Sequence, residues 1–233
     1  MPLPFFYEED IKPGSSSFVL SEETSKHCVQ VLRMKTGEQL ELTDGLGNII
    51  TAAITAADKR ACVVRADKER KAEKPARQIA IGISLLKNPG RFEWFLEKAV
   101  ETGVSEIYPL LCARTERQHF RHDRMKSIVV AAMLQSQQAW LPMLHNPVTV
   151  DTITATAAYK QKLIAHCADG HKQKIAQLAL QESIIALIGP EGDFTPQEID
   201  QCLINGYIPV TLGNTRLRTE TAGITALVLL VNN

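Results

Sequence analysis

No window of this 233-residue chain comes near 18 consecutive apolar residues, so no segment is expected to cross a membrane as a helix. An excess of either charge is also missing. Lys and Arg number 26, as do Asp and Glu, which weighs against a general polyanion binder while leaving room for local asymmetry. The five cysteines, at 28, 62, 112, 167 and 202, form no CxxC pair. Such an odd, scattered set fits reduced thiols in a cytosolic protein better than a disulfide frame or a zinc site. His119-x-x-His122 is the only spaced histidine pair. Without a nearby cysteine or third ligand it reads as polar surface, and no metal is expected. The opening MPLPFFYEED is acidic and unlike a signal peptide, so the expected location is cytoplasmic. There is no internal repeat and no low-complexity tract. GxGxxG after the first strand, GxxxxGK[ST] and GxSxG are all absent, which removes the ordinary dinucleotide fold, the P-loop and the hydrolase elbow.

What is present divides the chain in two. Residues 1–70 read as β-rich. GEQLELTDGLGNIITAAIT supplies two strands around the turn-forming cluster Asp44–Asn48, and ACVVRA (61–66) a third. Before them, SEETSKHCVQVLRM reads as a short helix with Ser21 as cap and Val29 and Leu32 on one face. The charged run DKERKAEKPARQ (67–78) reads as a linker. From residue 79 apolar strands alternate with helices: 79–86, 106–111, 162–167, 184–189 and 207–213. RFEWFLEKAVETG is one of the helices, with Gly103 as its stop. This rhythm predicts a parallel sheet covered on both faces. The last segment, TETAGITALVLLVNN, is apolar nearly all round and must be buried, plausibly against a second subunit.

Two strand ends stand out. LIGPEGDFTPQEID (187–200) runs from a buried strand through a glycine-rich bend into a helix start, with Thr195 as N-cap, Pro196 as first helical residue and Glu198 completing a capping box. LGNTRLRTETA (212–222) again leads a strand through a loop straight into a helix. Ligands of open parallel sheets sit at the carboxyl ends of the strands, and glycines let backbone approach them closely. Either loop alone reads as a tight turn; two closing one sheet edge read as a pocket.

IGPEGDF followed by LGNTRLRTETA resembles the paired carboxyl-terminal signatures of the RsmE family, ribosomal RNA uridine N3-methyltransferases of the knotted SPOUT superfamily. HCVQVLRMKTGEQLELTDGLGN resembles that family's N-terminal barrel, and LLKNPGRFEWFLEKAVETGVSEIYPL followed by RTER resembles the start of its catalytic domain. The resemblance covers most of the chain in the right order. It implies an α/β fold with a PUA-like β-barrel RNA-binding domain at 1–72. A SPOUT domain at 73–233 would carry a parallel sheet and a deep C-terminal trefoil knot. It also implies a homodimer, S-adenosylmethionine as cofactor and small-subunit ribosomal RNA as substrate. Carried over residue by residue, it puts Gly189, Glu191, Gly192, Leu212, Gly213, Leu217 and Thr219 beside the cofactor, with His166 and Cys167 as a third side. Arg218 is the first choice for a catalytic contact. A guanidinium is a poor base, but it can stabilise charge developing on the uracil carbonyls. A structural ion pair with Glu220 or Glu191 is the other reading. Glu191 is either a base or a hydrogen-bond acceptor. Thr219, Glu220 and Thr221 are candidate caps of the last helix.

For RNA the candidates are Arg33, Lys35, Lys87, Arg91, Arg114, Arg117 and Arg124. The run from 112 to 126 carries five cations against Glu116 and Asp123; such a run is usually a solvated face, and beside a methyl-transfer pocket it can hold phosphates. Three positions depart from the family pattern: Asp193 replaces a second glycine, and Leu134 and Gln138 replace the Glu and Arg of a Glu-Gln-x-x-Arg stretch. Three rival readings are a knotted methyltransferase acting on transfer RNA or a ribose, a non-catalytic RNA-binding assembly factor, and an unrelated α/β enzyme binding a phosphorylated metabolite at Gly192–Thr195. Substrate tests, loss of cofactor binding, and phosphate protection respectively separate them.

Overall fold

The structure is a computed structural model and describes residues 3–116 and 119–233. The chain divides into two compact units: residues up to Lys74 with Met133–Leu141, and Pro75–Ala132 with Pro142–Asn233.

The first unit is built on a five-stranded sheet of β1 (Phe5–Tyr7), β2 (Ser17–Val19), β3 (Gln39–Thr43), β4 (Asn48–Ala56) and β5 (Val63–Lys71). Its order is β1-β3-β4-β5-β2, with β1 parallel to β3 and every other pairing antiparallel. Leu40 and Leu42 of β3 are buried with Ile50, Ala52 and Ile54 of β4 and Val64 of β5; the period of two puts these side chains on one face. The helix α1 (Glu22–Lys26) starts where expected, the Ser21 hydroxyl accepting the Thr24 amide at 3.3 Å. It then widens into one π-helical turn, His27–Val31. That wider turn breaks the expected single face: Val29 packs on the core, whereas Leu32 is 45% exposed.

The expected linker also needs correction. β5 continues through Lys71 and pairs along β4, so the first five residues of the 67–78 run are strand. Their charges face solvent while the backbone ladder is satisfied. Arg65 meets Asp67 at 3.1 Å and Arg70 reaches Glu41 at 3.2 Å. At the β3–β4 turn the Asp44 carboxylate accepts the Leu46 amide at 2.8 Å and the Asn48 amide at 3.2 Å. Gly47 there has φ +86°, and a Cβ would stand 2.4 Å from the Trp140 ring.

The second unit is a parallel sheet of β6 (Gln78–Ser84), β7 (Glu106–Leu111), β8 (Met143–Leu144), β9 (Val148–Thr149), β10 (Gln161–Ala165), β11 (Gln173–Lys174), β12 (Ser183–Ile188) and β13 (Ile208–Thr211). The order is β11-β13-β10-β12-β6-β7-β8, with β9 also on β7. All five strands expected from the apolar runs are present. The last strand lies between β10 and β11, both of which precede it in the chain. The helices are α2 (Pro89–Thr102), α3 (His122–Gln135), α4 (Val150–Thr156), α5 (Pro196–Ile204) and α6 (Thr219–Val231).

The Asn88 side chain caps α2 by accepting the Gly90 amide at 2.9 Å, and the helix ends at Gly103. Its Phe92, Phe95 and Leu96 are at most 2% exposed, each stabilising the unit by roughly 1.5–3 kcal/mol through burial. The terminal helix α6 packs on α2 and β6, with Gly223 against Phe95 and Ile83. Its Gly223, Ala226, Leu227 and Leu230 are buried, while Val228 and Val231 remain 41% and 39% exposed. Among the described residues no helix is long and apolar enough to cross a membrane, and no group of three or more His, Cys, Asp or Glu is placed to hold a metal ion.

Gly47→Ala is expected to destabilise the first unit by roughly 2–4 kcal/mol, combining the left-handed penalty with overpacking against Trp140. Gly37→Ala, at φ +92° with nothing within 4 Å, is expected to cost only the conformational part, about 1–2 kcal/mol. Urea midpoints followed by tryptophan fluorescence distinguish the two; equal losses would refute the close packing at Gly47.

Candidate functional site

Three strands, β10, β12 and β13, end side by side, and the loops that leave them enclose a cleft of about 690 Å³. That is within the ~300–1,000 Å³ of small-molecule sites. His166, Gly189, Glu191, Leu212, Gly213, Leu217, Arg218 and Thr219 all line it. Gly192 does not. It packs against the Arg114 side chain, where a Cβ would meet Cδ at 3.3 Å, and its carbonyl accepts from that guanidinium at 2.6 Å. Gly189 is confined in another way: an added Cβ would stand 3.0 Å from the Phe194 ring and 3.1 Å from its amide nitrogen. The bend therefore folds back on itself so closely that a side chain at 189 would require Phe194 to shift.

Asp193 fixes this bend. It is in the left-handed conformation at φ +62°, which Asp and Asn tolerate better than most residues. One carboxylate oxygen accepts the Phe194 amide at 2.9 Å and the other accepts the Cys167 amide at 2.7 Å. The loop after β12 is thereby tied to the loop after β10. On the other side the expected capping box is present: Thr195 accepts the Glu198 amide at 3.2 Å and Glu198 accepts the Thr195 amide at 2.8 Å. The second Glu198 oxygen accepts the Ala113 amide at 2.8 Å, anchoring α5 to the loop after β7. The bridging role of Asp193 was not read from the sequence, although an aspartate two residues after Glu191 in a glycine-rich bend is the signal that points to it.

His166 is half-buried in the wall, and its Nδ1 is enclosed without a hydrogen-bond partner. Burial, then the nearby Lys172 charge, push its pKa below the usual 6.5 against the pull of Asp193. The neutral imidazole is thus favoured, with Nδ1 closed off in the wall. Arg218 is exposed and, among the described residues, its guanidinium makes no hydrogen bond or ion pair. The alternative of an ion pair with Glu220 or Glu191 is not realised. Glu220 is 7% exposed and instead lies 3.7 Å from Arg91, with its second oxygen unpartnered. The N-cap of α6 is Arg218 itself, without a side-chain capping bond. Thr219, Glu220 and Thr221 therefore do not cap the helix but form its first turn.

The cations expected at an RNA surface divide into two sets. Lys87 pairs with Glu116 at 2.8 Å, Arg124 with Glu93 at 2.7 Å, and Arg91 with Glu220. Arg114 is spent on the glycine bend. In the first unit, Arg33 and Lys35 are exposed with no side-chain ion pair among the described residues; Arg33 has φ +56°. Arg117 lies outside the described residues. The expected Cys167 lines the cleft too, and Lys172 and Arg216 lie beside the expected residues. Lys172 and Arg216 were not singled out from the sequence, because a lone lysine in a loop carries no spacing signal.

A ligand cleft at the carboxyl edge of a parallel sheet, approached by backbone and by a free guanidinium, defines an α/β group-transfer or ligand-binding protein. Residues 72–231 match the family described as RNA methyltransferase domain, and residues 20–67 match the RNA methyltransferase PUA domain. The chain is similar to ribosomal RNA small subunit methyltransferase E of Mycobacterium bovis, at 29% identity over 95% of this chain and 88% of that protein. Among solved structures it is similar to a probable rRNA-methyltransferase from Porphyromonas gingivalis, with TM-score 0.90 and 36% identity over 97% of this chain and 95% of that one. It is also similar to ribosomal RNA small subunit methyltransferase E from Neisseria gonorrhoeae bound to S-adenosyl methionine, with TM-score 0.88 and 27% identity over 97% of this chain and 95% of that one. This chain belongs to the RsmE family of RNA methyltransferases, with a PUA domain preceding its α/β domain.

The depressed His166 pKa has a pH signature. The unfolded chain binds the proton before the native state does, so this histidine costs no stability above about pH 6.5. Stability is lost as pH falls through 6.5 towards the native value. An NMR titration should place His166 below 6.5, and His166→Gln should flatten the stability profile there; titration at or above 6.5 would contradict its burial.

Proposed function

We propose that this protein is an S-adenosylmethionine-dependent methyltransferase acting on a uridine N3 of small-subunit ribosomal RNA. The observation that carries the proposal is the single cleft into which the loops after β10, β12 and β13 converge, in a chain of this family. Its volume and its lining by backbone and side chains of the loops after three strand ends fit a nucleoside-bearing cofactor with polar edges. Gly189, Leu212, Gly213, Leu217 and Thr219 would surround it, with His166 as a polar contact. Gly192 would act indirectly, through Arg114.

S-adenosylmethionine, when bound, supplies a methyl group already activated on a sulfonium. The protein must then align the uracil and help N3 lose its proton. Two carboxylates line the cleft. Asp193 is held by two amides, so Glu191, exposed and unpaired, is the candidate proton acceptor. The free guanidinium of Arg218 is suited to stabilise negative charge on the uracil carbonyls.

We further assign residues 1–72 to RNA binding and 73–233 to catalysis. Arg33 and Lys35 are exposed cations of the first part that make no ion pair with the described residues. Lys87 is held only by the exposed Glu116, and such a pair is worth about 0–1 kcal/mol, so a phosphate can displace it; Arg124 is held by both oxygens of the half-buried Glu93. The insertion of β13 between two strands that precede it supports a threaded, knotted chain end. The exposed Val228 and Val231 of the otherwise apolar α6 support a homodimer through that helix. A ribosomal substrate supports a cytoplasmic location.

Labelled-methyl transfer to small subunits from cells lacking this protein, followed by nucleoside analysis, tests the reading. Label on uridine N3 is expected, and label on another base or a ribose would overturn the substrate assignment. Arg218→Ala is expected to lower transfer at least ~100-fold while leaving cofactor affinity within a few-fold; collapse of cofactor binding instead would show that Arg218 holds the cofactor.

A further inference from the structure

Three cations line the cleft: Arg216, Arg218 and Lys172. The two arginines are exposed, whereas Lys172 is half-buried in the wall formed by the loop after β10. Its ammonium donates to the Ala168 carbonyl. No carboxylate among the described residues pairs with it. An ammonium has three donors, so two remain without a protein partner among the described residues. The wall that carries it is fixed on consecutive residues, since Asp193 accepts the Cys167 amide at 2.7 Å and Lys172 itself holds Ala168. A fixed, half-buried, unpaired cation lining a cleft is arranged for an anionic group.

Resting on the cofactor reading above, we propose that Lys172 is a specificity residue that receives the carboxylate of S-adenosylmethionine. The carboxylate is the anionic group of that molecule at neutral pH. Its sulfonium and α-ammonium are positive and are repelled from the same spot, so Lys172 also sets the direction in which the amino-acid end lies. The adenosine end, which carries no charge, gains nothing from this lysine. A neutral His166 next to Lys172 avoids a second positive charge in the wall.

The test compares two ligands that differ in the amino-acid end. S-adenosylhomocysteine has the carboxylate, and 5′-methylthioadenosine lacks it together with the α-amino group. Dissociation constants are measured by calorimetry for the full-length wild type, Lys172→Met and Lys172→Arg. Lys172→Met is expected to weaken S-adenosylhomocysteine about tenfold, the worth of one charge-assisted contact, and to leave methylthioadenosine within about twofold. Lys172→Arg is expected to keep most of the wild-type affinity for both. An equal loss for the two ligands would mean that Lys172 only supports the loop, and no loss for either would mean that it does not face the carboxylate; both overturn the inference. If the wild type binds neither compound, the cofactor reading falls and the inference with it, a result distinct from wild-type binding that Lys172→Met leaves unchanged.

Discussion

The carboxylate of Asp193 joins two segments far apart in sequence, the loop after β10 and the bend after β12, through amides at 2.7 and 2.9 Å. Hydrogen bonds to an ionised acceptor are roughly twice as strong as neutral ones, and each segment is otherwise a loop at a sheet edge. Beside this tie, the Ala168 carbonyl of the His166 wall accepts from the Lys172 ammonium. With it, the wall, the bend and the capped start of α5 form one continuous hydrogen-bonded rim. The position departs from a family pattern of two glycines, and the left-handed backbone explains how: the conformation a glycine adopts freely is kept, and a side chain is added that does structural work.

Charge is arranged locally rather than globally. Equal numbers of acidic and basic residues leave no overall field, and several of the cations that look free in the sequence are neutralised by neighbours. The pairs differ in kind. Lys87–Glu116 is exposed on both sides, at 74% and 62%, and is readily exchanged for a phosphate, whereas Glu220 is a buried partner for Arg91. Arg33 and Lys35 in the first unit, and Arg218 and Lys172 at the cleft, are among the cations that make no ion pair with the described residues.

Much of this was legible in the sequence. Continuous apolar runs gave the five main parallel strands, because a strand covered on both faces has no polar alternation to confuse it. Thr195-Pro196-Gln197-Glu198 announced its capping box, and the glycine bends marked the cleft. Other features were not legible. Composition made 67–78 a linker, yet a strand needs only its backbone ladder, and charged side chains on a solvent face do not end it. The π-helical turn at His27–Val31 shifted Leu32 off the expected face, and propensity carries no mark of such a turn. The grouping of Met133–Leu141 with the first unit, through Trp140 on Gly47, depends on contacts between distant residues. The knotted path and the cofactor were implied by resemblance alone, since neither periodicity nor spacing encodes them.

Amide hydrogen exchange read residue by residue, in the wild type and in Asp193→Gly, tests the tie most directly. Glycine preserves the backbone conformation and removes only the carboxylate. The Cys167 and Phe194 amides should lose protection together, by about tenfold or more, while the core of β10 (Gln161–Ala165) exchanges as before. Unchanged protection at Cys167 in the glycine variant would mean that the cleft wall is held by something other than Asp193.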